Sequence, residues 1–393
     1  MDAQKLEKQH HIQTYKRYPI TLVEGKGAEV TDTNGKTYLD FLAGIAVASL
    51  GHSHPAIVKT IRDQADRLMH VSNLFYTEPQ SKLAELLTSL SNLDRVFFAN
   101  SGTEAIEAAL KLAKKYGHKK GKTGKILSVD TAFHGRSIGA IAMSQPKYRE
   151  GFGPMPEGFE IIPKNDKNIL REKINKDTIA IFLEPVQGEG GVHVLDKEYL
   201  EEARRLCDEN DVLLVFDEIQ CGMGRLGTMF AYEHFGVKPD IITLAKGMGA
   251  GFPIGAMLAK EEVAEAFDFG NHGTTFGGNA LAASVAYTAV KTILDEHLYE
   301  NAGIVGEYMM GELKDKLKDL NVVKDIRGVG LMIGIELAES CAEVVKTMLD
   351  KGIIVNCAAG KVVRIVPPLI VTKEQADKVV KVLKETLEEK FNG

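Results

Sequence analysis

Four short runs, KILSVD, IAIFLEPV, VLLVFDE and DIITLAK, are apolar almost without interruption, and they constrain the fold more than any other feature. A strand with one wet face alternates apolar and polar residues, whereas an unbroken apolar strand has to be covered on both faces. Helical segments alternate with the runs, and parallel strands need a crossover of that length between them. The pattern predicts an α/β chain: a mostly parallel central sheet flanked by helices, with right-handed crossovers. RVFFAN reads as a further strand. IVKTIRDQADRLMH and QSKLAELLTSL read as helices before it. SGTEAIEAALKLAKKYG reads as the helix after it, with Ile106, Ala109, Leu110 and Ala113 at helical spacing.

Two stretches fall outside this pattern. Residues 20–42 read as an antiparallel meander turning at Asn34-Gly35, a dipeptide suited to tight hairpins. After about residue 295 a helix, EYMMGELKDKLKDL, is followed by the strand-like GVGLMIGIEL and VVRIVP, which suggests a smaller α+β domain packed with the meander. With 393 residues the chain has room for two domains. The expected division is an N-terminal segment 1–55, a large domain 56–294 and a small C-terminal domain 295–393.

Several function classes are disfavoured. A net charge of −6 and a pI of about 6.0 argue against a nucleic-acid or anionic-membrane surface, both of which need a clustered basic excess. The charged start has no apolar core of a leader, and no run of 18 apolar residues offers a membrane span. Cys207, Cys221, Cys341 and Cys357 form no C-x-x-C pair and no evident disulfide framework, which points to the cytoplasm. His52-Ser53-His54 reads as a turn before Pro55 rather than a metal pair, and Gln145–Gly158 as an irregular surface or active-site loop.

Three motifs fall where strands end. Asn100-Ser101-Gly102-Thr103-Glu104 lies between a strand and a helix. The helix start offers free N–H groups and hydroxyls to a phosphate, although Ser-x-x-Glu is also an ordinary capping box. Asp217 ends VLLVFD, at the carboxyl edge where open α/β sheets bind ligands; it could pair with a cationic ring nitrogen or a metal, or cap the next helix. Lys246 ends DIITLAK and precedes glycines. Desolvation there would lower its pKa and favour the neutral amine that forms Schiff bases, though an isolated strand-end lysine is commonly a surface residue. The glycines match neither a P-loop nor a dinucleotide fingerprint. A phosphate cradle, an anionic partner for a pyridinium nitrogen and a lysine for an aldehyde are together what pyridoxal 5′-phosphate (PLP) requires.

NSGTEA, FHGR, EPVQGEGGV, FDEIQCGMGR, LAKGMGAGFPIGA and GTTFGGN, in that order, resemble the class III, fold-type-I aminotransferases, most closely those that use acetylornithine. The resemblance runs from GKGAEVTDTNGKTYLDFLAGIAVASLGHSHP to VVRIVPPLIVT and includes the QPKY and GFGPMP strings. It implies that Gly102 and Thr103 bind the phosphate beside Ser101, that Phe133 stacks on the pyridine ring, and that Asp217 pairs with the ring nitrogen. By the same resemblance Gln220 bonds the ring oxygen, and Lys246 carries the cofactor as a Schiff base and moves the proton. Thr275 would reach the phosphate of the other subunit, making the site shared across a homodimer, with Thr274 near the substrate. Arg136 would hold the donor α-carboxylate. Arg364 would bind the α-carboxylate of glutamate or 2-oxoglutarate, with Glu189 as its alternative partner.

The implied reaction transfers the δ-amino group of N2-acetyl-L-ornithine to 2-oxoglutarate, a step of arginine biosynthesis, by a ping-pong route. Sister activities on ornithine, 4-aminobutyrate or succinyl-diaminopimelate are the alternatives. Ornithine enzymes usually carry Trp at Phe133 and Tyr at Ile45, which disfavours free ornithine, while Tyr15 matches a tyrosine they use. A non-enzymatic PLP-binding regulator would lack the arginine pair and Glu189, and a nucleotide switch would need a P-loop.

Overall fold

The computed structural model describes residues 3–391. Its centre is a seven-stranded sheet in the order Arg95–Ala99, Gly255–Ala259, Ile241–Leu244, Leu213–Asp217, Ala180–Leu183, Ile126–Val129, Phe159–Ile162. Only Gly255–Ala259 runs against its neighbours. The four apolar runs are the middle of this sheet, and their strand residues are buried throughout. Because successive side chains point to opposite faces, each strand feeds two cores. Leu214, Phe216, Ile242 and Leu244 pack on one side, while Leu213, Val215, Ile241 and Phe182 pack on the other with the helix Gly102–Lys119. That double covering is why these strands carry no polar alternation.

Gly255–Ala259 was not expected as a strand. GAMLA is short and rich in Gly and Ala, so its propensity is weak. Its glycine has a steric reason: a Cβ at Gly255 would lie 2.4 Å from the Ser101 carbonyl. The close approach seats the strand beneath the start of Gly102–Lys119. The helix expected over IVKTIRDQADRLMH is Pro55–Ala65, stopping before Leu68 and Met69, which remain exposed.

The meander is Leu22–Lys26, Glu29–Asp32 and Thr37–Asp40, and Ile353–Ile354 adds to it as a fourth strand, parallel to Thr37–Asp40. The Asp32 carboxylate accepts the N–H groups of Asn34 and Lys36 and so closes the turn, with Gly35 at φ +78°. A second antiparallel sheet joins Val323–Val329, Met332–Leu337, Val362–Ile365 and Asn356–Ala358. It carries Arg364 on its inner strand.

One expectation is corrected. Cys341 and Cys357 form a disulfide, with Cα atoms 5.5 Å apart. Strand Asn356–Ala358 lies beside the start of helix Ala342–Asp350, and that packing brings together cysteines 16 apart in sequence. Their spacing matches no disulfide pattern, so the pairing was not visible beforehand. Cys207 and Cys221 are free and buried, and burial pushes both thiols up.

Candidate active site

The carboxyl ends of two adjacent parallel strands set the site. Asp217 lies in register with Thr243, whose hydroxyl donates to Asp217 Oδ1 at 3.3 Å. The Ile219 N–H donates to the same oxygen at 3.1 Å, and His134 Nδ1 sits 2.8 Å from Oδ2. Lys246 follows the neighbouring strand at the start of a tight turn, Lys246–Gly249, with φ +42°. That left-handed backbone is costly for a residue with a Cβ, and such strain concentrates at functional sites.

Between these ends lies a cavity of about 330 Å³. Ser101, Gly102, Thr103, Phe133, Asp217, Gln220 and Lys246 all line it, so the structure brings these expected residues together. Ser101 does form the cap: its Oγ accepts the Glu104 N–H, and Glu104 reaches back to the Asn100 N–H. The N–H groups of Gly102 and Thr103 precede the first intrahelical bond, from Ala105 N to Ser101 O, and remain for a ligand. A Cβ at Gly102 would meet Ile219 at 2.8 Å, which keeps this position small.

Burial lowers the pKa of the Lys246 amine, the Glu189 charge opposing and the Arg364 charge assisting. The amine has no hydrogen bond or ion pair among the described residues. Burial disfavours a charged His134, but Asp217 outweighs it and the imidazole pKa is raised. Burial pushes Glu184 up to about 7, with His134 working against the shift and Asp217 with it. Glu184 accepts the N–H of Phe133 at 2.8 Å and of Gly188 at 3.3 Å, tying two site loops to one buried carboxyl.

Of the remaining expected residues, Arg364, Glu189, Arg136 and Thr274 each touch a residue of the cavity wall. Arg364 is fully buried in its side chain, and its Nη1 donates to Glu189 Oε1 at 2.5 Å and to Gln220 Oε1 at 3.3 Å. Its Nε donates to Asn356 Oδ1 at 3.0 Å, while Nη2 has no partner among the described residues. Burial opposes the Glu189 charge, yet Arg364 prevails and holds its carboxyl below the usual range. Gly188 packs so closely on Gln220 that a Cβ would lie 2.1 Å from its Oε1. Arg136 is exposed, and its guanidinium lies over the rings of Phe133 and Tyr148. Thr274 Oγ1 accepts from Asn100 Nδ2 at 3.1 Å, whereas Thr275 is exposed and lines no part of this cavity.

Sequence reasoning passed over several residues. Glu184 directly follows the strand Ala180–Leu183 within IAIFLEPV and meets the same strand-end criterion as Asp217, so it was findable. His134 lay inside the quoted FHGR. Thr243 and Arg327 gave no signal because their partners are remote in sequence, and Asn356 because it meets Arg364 only across two paired strands. Arg327 donates to the Gly191 and Val192 carbonyls and so pins the turn that carries Glu189.

Known proteins share this arrangement. The family described as aminotransferase class-III matches residues 12–387. An acetylornithine aminotransferase of Methanocaldococcus jannaschii is 52% identical over 389 residues, covering 98% of this chain and 97% of that protein. One from Methanothermobacter thermautotrophicus is 50% identical, covering 98% of each. Among solved structures, an ornithine aminotransferase from Toxoplasma gondii superposes with a TM-score of 0.95 at 35% identity, covering 98% of this chain and 94% of that one. An acetylornithine aminotransferase from Elizabethkingia anophelis does so with 0.90 at 34%, covering 98% of each. Aminotransferases of this class depend on PLP. Strand-end Asp217 and Lys246, the open helix start at Gly102 and near full-length identity to curated members leave one assignment: this chain belongs to the class-III aminotransferase family.

Proposed function

We propose that this chain transfers the δ-amino group of N2-acetyl-L-ornithine to 2-oxoglutarate, giving N-acetyl-L-glutamate 5-semialdehyde and glutamate. The observation that carries this reading is the contrast between two arginines. Arg364 is charge-paired with Glu189, while Arg136 has no anion or hydrogen-bond acceptor among the described residues. One open cation suits a donor whose carboxylate is remote from the reacting amine, and one gated cation suits glutamate, whose carboxylate is adjacent to it.

The cavity fits PLP by its own chemistry. A half-buried Lys246 amine with no hydrogen bond or ion pair among the described residues, a buried carboxylate at Asp217 and the N–H groups of Gly102 and Thr103 would answer the aldehyde, the ring nitrogen and the phosphate. Phe133 would cover a ring face and Gln220 would meet the ring oxygen. When bound, the cofactor supplies the aldehyde that captures the amine and the ring that takes up electrons as a proton leaves. His134 and Thr243 hold the Asp217 carboxylate in place, where it would meet the ring nitrogen. Lys246, its pKa lowered by burial, would take up and return the proton at its Nζ.

Glu189 neutralises Arg364 while an apolar methylene stretch occupies the glutamate position, since an unpaired buried guanidinium there would cost several kcal/mol. Glu189→Ala is expected to slow the acetylornithine half-reaction about tenfold, equivalent to ~1.4 kcal/mol, while the glutamate half-reaction holds or improves. Single-turnover rates with each donor check this, with Glu189→Gln separating charge from hydrogen bonding. Equal slowing of both halves would make Glu189 a structural residue.

The same reading includes a homodimer that shares its sites. Leu74, Phe75, Tyr76 and Phe276 are exposed, and Asn73 donates to the Thr274 carbonyl, so the two segments bring exposed apolar side chains to the neighbourhood of Thr275. Apolar patches of this kind mark interaction surfaces, and Thr275 would there face the partner's phosphate. No helix among the described residues is long and apolar enough to cross a membrane, and a cytoplasmic setting is part of the proposal.

Arg136→Lys tests the donor contact. Lysine keeps the charge but loses the planar fork that grips a carboxylate in two places. Acetylornithine should lose about tenfold in kcat/KM, comparable to one charge-assisted hydrogen bond, with the glutamate half-reaction spared. Equal loss in both halves would remove Arg136 from donor recognition.

A further inference from the structure

We propose that Tyr148 is a positioning residue that fixes Arg136 for the α-carboxylate of the amino donor, and thereby sets the preference for donors carrying that group. The inference rests on the assignment of Arg136 made above.

The guanidinium carbon of Arg136 lies 4.4 Å from the centroid of the Tyr148 ring and 5.5 Å from that of Phe133. The two rings meet edge to face, 5.1 Å apart at 63°. An exposed arginine ordinarily samples many rotamers. A cation over an aromatic face is held by the ring quadrupole, and since Arg136 has no hydrogen-bond acceptor among the described residues, its N–H groups stay available. A two-point grip on a carboxylate needs those groups. Phe133 lines the cofactor cavity, so the stack ties the outer cation to the inner site.

Tyr148 is itself held in place. It closes the turn Pro146–Tyr148, its N–H donating to the Gln145 carbonyl at 3.0 Å. Gln145 Nε2 donates to the Thr131 carbonyl at 2.7 Å. Arg149 donates to the carbonyls of Ile141 and Ala142, the last turn of the helix Ile138–Ala142. Arg136 directly precedes Ser137, the N-cap of that helix. The two partners are therefore clamped to opposite ends of one short helix, and their separation is set by the fold. Lys147 also lies over the Tyr148 ring, at 4.9 Å. The Tyr148 hydroxyl has no hydrogen-bond partner among the described residues, so the ring is the working part. Its phenol is raised mainly by burial and then by the Glu189 charge, with Arg136 and Arg364 opposing, in keeping with a place beside the substrate arginines.

The test uses the PLP-loaded enzyme and two donors: acetylornithine and N-acetylputrescine, which has the same amine and acyl group but no α-carboxylate. Tyr148→Leu should raise KM for acetylornithine about five- to tenfold with kcat near unchanged, within the range of a cation–π contact. N-acetylputrescine and glutamate half-reactions should stay as they are. Tyr148→Phe and Tyr148→Trp, which keep a ring face, should preserve the preference, and the pair serves if Tyr148→Leu folds poorly. The proposal is overturned if Tyr148→Leu affects both donors alike, if only kcat changes, or if Tyr148→Phe is as damaged as Tyr148→Leu. Arg136→Ala separates the two levels. If it leaves the preference for acetylornithine over N-acetylputrescine intact, the Arg136 reading falls and this one with it. If it collapses the preference while Tyr148→Leu does not, Arg136 stands and Tyr148 has no part.

Discussion

Lys246→Ala is expected to abolish turnover, a loss exceeding about 10⁴-fold, because the residue proposed both to hold the cofactor and to move the proton is then gone. The expectation follows from position. Lys246 follows a strand buried on both faces, its backbone is held at φ +42°, and its amine has no hydrogen bond or ion pair among the described residues. Burial lowers its pKa, which raises the share of neutral amine available as nucleophile and base. PLP should still bind the variant through the Gly102–Thr103 helix start. Borohydride reduction of the parent followed by peptide mapping checks the attachment point. Cofactor found on another lysine would overturn it.

Asp217→Asn is expected to slow both half-reactions by about 10²-fold or more, the scale of removing one pre-organised electrostatic partner. Asparagine can keep the contacts from Ile219 and Thr243, but it loses the charge opposite a ring nitrogen. The substitution should also register on His134. The imidazole pKa is raised because Asp217 outweighs the burial that disfavours its charge. A raised pKa contributes stability that is fully present below the unfolded value of about 6.5 and is lost as pH rises through the folded value. In Asp217→Asn that pH-dependent stretch above 6.5 should flatten. Turnover within a few-fold of the parent would place the ring nitrogen elsewhere.

The parts that sequence made legible are those where one physical demand acts on adjacent residues. A strand covered on both faces needs an unbroken apolar run, so Leu213–Asp217 and Ile241–Leu244 were readable, and with them the strand-end positions of Asp217 and Lys246. Gly255–Ala259 was not, because its antiparallel place rests on fitting beneath Ser101 rather than on side-chain propensity. The Cys341–Cys357 disulfide, the Asn356–Arg364 bond and the Arg327 clamp on Gly191 all join residues that only folding brings together. Tyr148 is the instructive intermediate. QPKY stood out as a string, but its contact with Arg136 depends on a turn folding back over a single short helix.

Donor choice is decided by a half-reaction screen. Purified enzyme carrying PLP would be mixed separately with acetylornithine, ornithine, 4-aminobutyrate and succinyl-diaminopimelate, and loss of the yellow cofactor band timed for each. Acetylornithine should convert the cofactor with a kcat/KM at least about tenfold above ornithine and 4-aminobutyrate, a discrimination reachable by one carboxylate contact and one unaccommodated charge. Faster conversion by ornithine or 4-aminobutyrate, or no conversion by acetylornithine, would contradict it.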